Sequence, residues 1–408
     1  MKTKGMPAIM LAVCVLLGGC GGRSDTPGTD EQTTLAPVRP LMALDAYDLD
    51  TYLLPIWDAR EIYQETVMFF EGESERSLLY APQDIICVRN YGLDIVYEEG
   101  KDYTLSEDGK LVLPEGSSIP RFAVEEYYLT QPDTRTDGKD ATIKVYNDRT
   151  AIPLEGDHWL NFFERDELTS KQISVCYRHA QPWKGPVPEG KGEKLQNFLS
   201  KVGKGKSVTI LFYGDSITTG AQSSSYEHMR PQADIWPEMI KKYIEKEYGV
   251  TVNYLNEAVG GYTTTQGAEN FSAGVNRSGV DLLVLGFGMN DPKTSPMRYT
   301  ELMMSMIEAF RQTNPSGEVI AVAPMTPNYE TDWYGNQASF RNSLSVIEGR
   351  YGFCACADVT SMFEYLFTAG KQFRDVTVNN VNHPNDFAAR LYAQVILKTI
   401  FGDEFRKD

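Results

Sequence analysis

The segment Tyr213-Gly214-Asp215-Ser216-Ile217-Thr218-Thr219-Gly220 follows an almost wholly apolar run, Val208-Thr-Ile-Leu-Phe-Tyr213. Such a run reads as a buried parallel strand, and Gly-Asp-Ser at its end puts a hydroxyl at the carboxyl edge of the sheet, where open α/β folds place their ligands. A helix beginning there aims free N–H groups at developing negative charge. Taken alone, the tripeptide describes a turn with a helix N-cap equally well. A serine nucleophile needs a base within hydrogen-bond reach, and histidine has the pKa for that task near neutrality. The chain holds four histidines. His158 and His179 fall among β-rich runs and read as structural or surface residues. His228, in a polar loop after Gly-Asp-Ser, reads as solvent-exposed, with a place in a substrate cleft as the alternative. His383, in Asn379-Asn380-Val381-Asn382-His383-Pro384-Asn385-Asp386, stands just before a helix of the α/β region and is the candidate base.

The elements that must bring Ser216 and His383 together follow from hydrophobic pattern. From Ser207 onward, apolar runs at 208–213, 250–255, 281–285 and 318–323 alternate with helical periods at 236–248, 299–313 and 337–351. An amphipathic helix is expected over 387–401. This alternation predicts an α/β sheet with helices on both faces. Before it, from about Ala43 to Ala180, short extended runs are separated by turn residues. The runs are 66–70, 84–88, 93–97, 110–113, 141–146 and 172–177, and their spacing predicts a β-sandwich of jelly-roll type. Gln181 to Gly192, rich in proline and glycine, marks a connector.

With these blocks laid out, residues 207–401 resemble the SGNH (GDSL-like) hydrolase superfamily. Gly214-Asp215-Ser216 matches its first block and Asn256-Glu-Ala-Val-Gly260-Gly261 the second. Gly288-Met289-Asn290-Asp291 matches the third and His383-Pro384-Asn385 the fourth. The resemblance implies a flavodoxin-like three-layer fold and ester hydrolysis, with Ser216 as nucleophile and His383 as base. It places the oxyanion hole at the Ser216 and Gly261 backbone N–H groups and the Asn290 amide. Asp215 and Asp291 are expected to fix loop conformation. One departure stands out: the family usually has Asp three residues before the histidine, and this chain has Asn380. Three arrangements follow: a Ser–His dyad oriented by Asn380 or a backbone carbonyl, a surrogate acid such as Asp358 or Asp375, or a poorly active protein.

The wider composition sets the context. The chain has 408 residues, with 42% hydrophobic and 11% aromatic residues and a formal charge of −17. That length suggests more than one domain, and the charge repels phosphate backbones, which argues against nucleic acid as a partner. Lys2 and Lys4 precede an apolar run ending Leu17-Gly18-Gly19-Cys20, a secretory signal resembling the bacterial lipobox, in which the cysteine becomes lipidated. The organisation expected is therefore a signal at 1–19, a flexible tether at 20–42, a β-sandwich at 43–180, a connector at 181–206 and the hydrolase domain at 207–408. No Cys/His cluster has zinc spacing, and no cofactor is implied. Cys354 and Cys356 read as small core residues, while the pairing of Cys87 with Cys176 is left open. The function expected is an envelope-anchored serine esterase removing short acyl groups from carbohydrate. The alternatives are a lipase or thioesterase, or an inactive glycan-binding protein.

Overall fold

In the computed structural model the described residues are 44–129, 151–154 and 158–406. The signal, Cys20, the tether and the strand expected at 141–146 lie outside them. The β-rich region is built on three strands: β1 (Glu61–Phe70), β2 (Asp84–Asn90) and β3 (Gln172–Arg178). β3 is central, antiparallel to both neighbours, and the short strands Val96–Tyr97 and Arg121–Phe122 extend the sheet beyond β2 and β1. Two three-stranded antiparallel sheets accompany it, centred on Lys110–Val112 and on Trp159–Asn161. The strand expected over 93–97 shrinks to its last two residues. The reason is a turn in which Leu93 takes a positive φ of 65° and the Asn90 side chain accepts from the Ile95 N–H. Cys87 and Cys176 stand opposite each other across β2 and β3 as free thiols.

Five parallel strands make the second sheet: β4 (Val208–Gly214), β5 (Val252–Asn256), β6 (Leu282–Gly286), β7 (Glu318–Ala323) and β8 (Cys354–Asp358), in spatial order β5-β4-β6-β7-β8. Helices α1 (Trp236–Tyr248), α2 (Pro296–Thr313), α3 (Phe340–Arg350), α4 (Val359–Thr368) and α5 (Asp386–Phe401) connect and flank them. Their ends follow from local chemistry. Ser295 caps α2 by accepting the Arg298 N–H, with Pro296 in its first turn, and α1 stops at Gly249, whose φ of 62° suits glycine. The stretch 337–351 opens with a 3₁₀ turn before α3 begins, and the connector contains a further helix, Gln196–Gly203.

Helix α5 departs from the amphipathic expectation: every residue except Lys398 is buried. A helix apolar on one stripe becomes buried all round only when a second layer covers its other side. That layer is the N-terminal region. Arg390 donates to the Tyr63 carbonyl at 2.7 Å, and Gln394 donates to the Tyr52 and Leu54 carbonyls at 2.7 Å each. The polar side of α5 thus satisfies N-terminal backbone. One continuous core accordingly joins Ile62, Val67 and Tyr177 to Phe212, Trp236 and Leu391, and the described residues belong to one compact unit.

The chain leading to His383 is tied to the same sheet. Lys371, buried, donates to Glu65 Oε1 (2.7 Å) and to the Thr66 carbonyl (2.6 Å), while Tyr177 OH donates to Glu65 Oε2 (2.6 Å). Asp375 pairs with Arg76 (2.6 Å) and accepts the Met68 N–H. Asn385 donates to Thr66 and Gln172 of the N-terminal strands. Breaking one partner of a buried ion pair costs about 3–5 kcal/mol because the remaining charge is stranded. The β-rich region therefore fixes the loop that carries the histidine.

Candidate active site

β4 ends against β6 so closely that a Cβ at Gly214 would lie 2.3 Å from the Gly286 carbonyl oxygen and from Thr218 Oγ1. Only glycine permits the turn that follows. Ser216 opens the short helical turn Ser216–Thr219, capped by Asp215, whose Oδ1 accepts the Ile217 N–H at 3.0 Å. Asp215 Oδ2 accepts from the Met289 N–H at 3.4 Å, linking the first block to the third. Burial, with the Asp291 charge nearby, pushes the Asp215 pKa up to about 7. Its contacts are those of a loop brace.

Ser216 and His383, 167 residues apart, meet: His383 Nε2 lies 2.8 Å from Ser216 Oγ. The other ring nitrogen, Nδ1, lies 2.5 Å from Oε1 of Gln222. Asn380, expected to orient the imidazole, makes no hydrogen bond to it. Its backbone is left-handed (φ 69°), its side-chain amide donates to the Asn161 carbonyl at 3.2 Å, and its own carbonyl accepts from Asn328. Neither acid considered as a surrogate takes its place. Asp358 caps α4 through Ser361, and Asp375 is engaged with Arg76. Gln222 stands where the third residue is needed.

The orientation of the Gln222 amide is dictated by its surroundings. Asn379 Oδ1 accepts the backbone N–H groups of Val381, Asn382 and His383 at 3.0, 3.0 and 3.2 Å, which turns Asn379 Nδ2 toward Gln222 Oε1 at 3.0 Å. On its other side Gln222 Nε2 donates to the Phe163 carbonyl at 3.1 Å. A flipped amide would set donor against donor at Asn379 and oxygen against oxygen at Phe163. Gln222 Oε1 therefore accepts, the imidazole carries its proton on Nδ1, and Nε2 presents a lone pair to the serine hydroxyl. The two bonds to the ring come from uncharged groups, and burial pushes the His383 pKa down to about 4. Gln222 and Asn380 both hold positive φ (63° and 69°), conformations that non-glycine residues adopt rarely and that gather at functional sites.

The residues that the resemblance gives to the oxyanion hole converge on the same turn. Gly261 has a φ of 79°, and a Cβ on the preceding Gly260 would lie 3.9 Å from Ser216 Cβ. Asn290 Nδ2 donates to the carbonyl of Tyr262, the residue after Gly261, at 3.0 Å. Asp291 accepts from the Thr264 N–H (2.9 Å) and hydroxyl (2.7 Å), bracing the third block on the second. Ser216 lies in the first turn of its helix, where N–H groups lack intrahelical acceptors. Of the other histidines, His179 is buried and stacked on Tyr80, and His228 is exposed.

Residues 212–391 match the GDSL-like Lipase/Acylhydrolase family. No curated protein matches the chain significantly. Among solved structures, the chain is similar to a two-domain esterase (CEX) active on acetylated mannans, with 19% identity, a TM-score of 0.43 and coverage of 55% of each chain. It thus spans about half the length of that esterase. It is also similar to an acetylxylan esterase from Geobacillus stearothermophilus, with 15% identity, a TM-score of 0.41, and coverage of 49% of this chain and 97% of the other. A member of the lipolytic G-D-S-L family from Veillonella parvula is 20% identical, with a TM-score of 0.38 and coverage of 47% and 97%. The match to the GDSL-like lipase/acylhydrolase family lies within the α/β half of the chain, over the residues that include Ser216, Gly261, Asn290 and His383.

Proposed function

We infer that the protein is a serine esterase that removes short acyl groups, chiefly acetyl, from carbohydrate outside the cytoplasm, held to the envelope by lipid on Cys20. The observation that carries the catalytic part is the 2.8 Å approach of His383 Nε2 to Ser216 Oγ, with Nδ1 bonded to Gln222. Ser216 Oγ attacks the acyl carbon as His383 Nε2 takes its proton. The oxyanion receives N–H bonds from Ser216, Gly261 and the Asn290 side chain. His383 then returns the proton to the departing alcohol oxygen, and water repeats the sequence on the acyl-enzyme to release the acid and free Ser216.

Asp215, Ile217, Thr218, Val322 and Tyr392 line a hollow of about 10 Å³ beneath the serine turn, which neither Ser216 nor His383 borders. A larger cavity of about 440 Å³ lies between Leu199, Val202, Tyr248 and Phe401, at the far ends of α1 and α5 from the serine turn. Purified protein is expected to hydrolyse 4-nitrophenyl acetate with a kcat/KM at least tenfold above that for the decanoate, and to release acetate from an acetylated oligosaccharide. A preference for the decanoate would favour a lipase instead.

The envelope location rests on Leu17-Gly18-Gly19-Cys20. Among the described residues no helix is long and apolar enough to cross a membrane. The full-length protein should sediment with membranes, and Cys20→Ser should appear in the soluble fraction, because the several chains of a lipoprotein anchor bind far more firmly than one. Equal partitioning of both forms would count against the lipid.

A further inference from the structure

Nearly all aromatic rings of the described residues are buried or half-buried; the three that are exposed are Tyr226 (53%), Tyr329 (66%) and Tyr334 (43%). All three lie on loops at the carboxyl edge of the parallel sheet, the edge that holds Ser216. Tyr226 stands four residues after Gln222, in the loop that follows the serine turn. Tyr329 and Tyr334 belong to the loop after β7, and that loop is pinned at both ends to the site. At one end Asn328 donates to the Val381 carbonyl (2.7 Å) and the Asn380 carbonyl (2.9 Å), two and three residues before His383. At the other, Trp333 Nε1 donates to the Met289 carbonyl at 3.1 Å, one residue before Asn290. The loop therefore runs from the histidine side of the site to the oxyanion side, with an outward-facing tyrosine beside each anchor.

Exposed rings scattered singly over a surface need no explanation; these three instead share the one edge of the sheet that holds Ser216. The residues between these rings choose the partner. The loop reads Asn328-Tyr329-Glu330-Thr331-Asp332-Trp333-Tyr334-Gly335-Asn336, and Tyr226 is flanked by Ser225 and Glu227. The rings are set among hydroxyls, carboxylates and amides, with Tyr329 edge-on to Phe373 at 5.6 Å. They complement a pyranose, which presents a flat C–H face and a rim of hydroxyls. We propose that Tyr226, Tyr329 and Tyr334 form the glycan-binding platform of this esterase, stacking on sugar rings on either side of the acylated residue. This rests on the carbohydrate reading above and adds the residues that confer it.

The test compares two substrates, 4-nitrophenyl acetate and acetylated xylo- or manno-oligosaccharides, across the single and triple Tyr→Ala variants and the corresponding Tyr→Phe variants. The expected result is a KM for oligosaccharide raised about three- to tenfold per ring lost, with kcat/KM on 4-nitrophenyl acetate within twofold of the parent and KM restored by phenylalanine. An unchanged oligosaccharide KM in the triple alanine variant overturns the platform, as does an equal loss on both substrates, which would make the rings structural. Loss of decanoate turnover with an unaltered oligosaccharide KM would assign the rings to a lipid and also overturn it. If the parent cleaves 4-nitrophenyl acetate but deacetylates no oligosaccharide, the carbohydrate reading itself fails and the platform falls with it.

Discussion

Ser216→Ala should abolish ester hydrolysis, lowering kcat/KM by at least 10⁴-fold, since removing a serine nucleophile elsewhere costs on the order of 10⁶ in turnover. The fold should survive. The change deletes one hydroxyl whose partner is His383 Nε2 at 2.8 Å, in a turn held by the Asp215 cap and the Gly214–Gly286 approach. The residual rate would come from binding and the oxyanion donors alone. Circular dichroism and a melting temperature within a few degrees of the parent should accompany the loss. Activity within tenfold of the parent would exclude Ser216 as the nucleophile.

The second large effect concerns Gln222. Gln222→Ala removes the acceptor that holds the Nδ1 proton, freeing the imidazole to rotate and to take the wrong tautomer, and should lower kcat by about 10²-fold. Gln222→Glu separates orientation from charge. In the parent, burial holds the His383 pKa near 4, so the ring is a neutral base above that pH and the acid limb of kcat/KM should lie well below 6. A carboxylate bonded to Nδ1 stabilises the imidazolium, raises the pKa and must move the acid limb upward, by a unit or more. Above the new limb, turnover is expected to hold or rise, because the imidazolium formed in the transition state gains a counter-charge. Asn380→Asp should leave the limb where it is, since that side chain faces Asn161. A limb that follows Asn380 and ignores Gln222 would reverse the assignment.

Much of this was legible in the sequence where one physical cause dominates. Strands β4 and β7 and helix α1 fall within a residue of where apolar runs and helical spacing put them, because burial on both faces of a strand and on one stripe of a helix are local signals. Ser216, Gly261, Asn290 and His383 were legible through motif order, and the structure gathers them. Gln222 was not. It is uncharged, sits in a polar loop, and owes its role to Asn379 in the histidine loop and to the Phe163 carbonyl 59 residues upstream. No periodicity or spacing reports such a network. Motif position pointed to Asn380, but the positive φ there turns its side chain toward the β-rich region, and the neighbouring Asn379 takes up the bracing. The all-round burial of α5 was hidden for a related reason. Arg390 and Gln394 look like a solvent face in sequence, yet both are spent on N-terminal carbonyls. A pattern of polarity says that a group needs a partner, without saying that the partner is water.

The most direct measurement of the central claim is covalent trapping. A fluorophosphonate reacts only with a serine whose hydroxyl is activated by a base and whose oxyanion is received by donors, which is the arrangement assigned to Ser216, His383 and the Gly261–Asn290 pair. Mass spectrometry of the treated, full-length protein should find one adduct, on the peptide containing Ser216, formed at least 10²-fold more slowly in His383→Ala. An adduct on another residue, or none in a folded protein, would contradict the account.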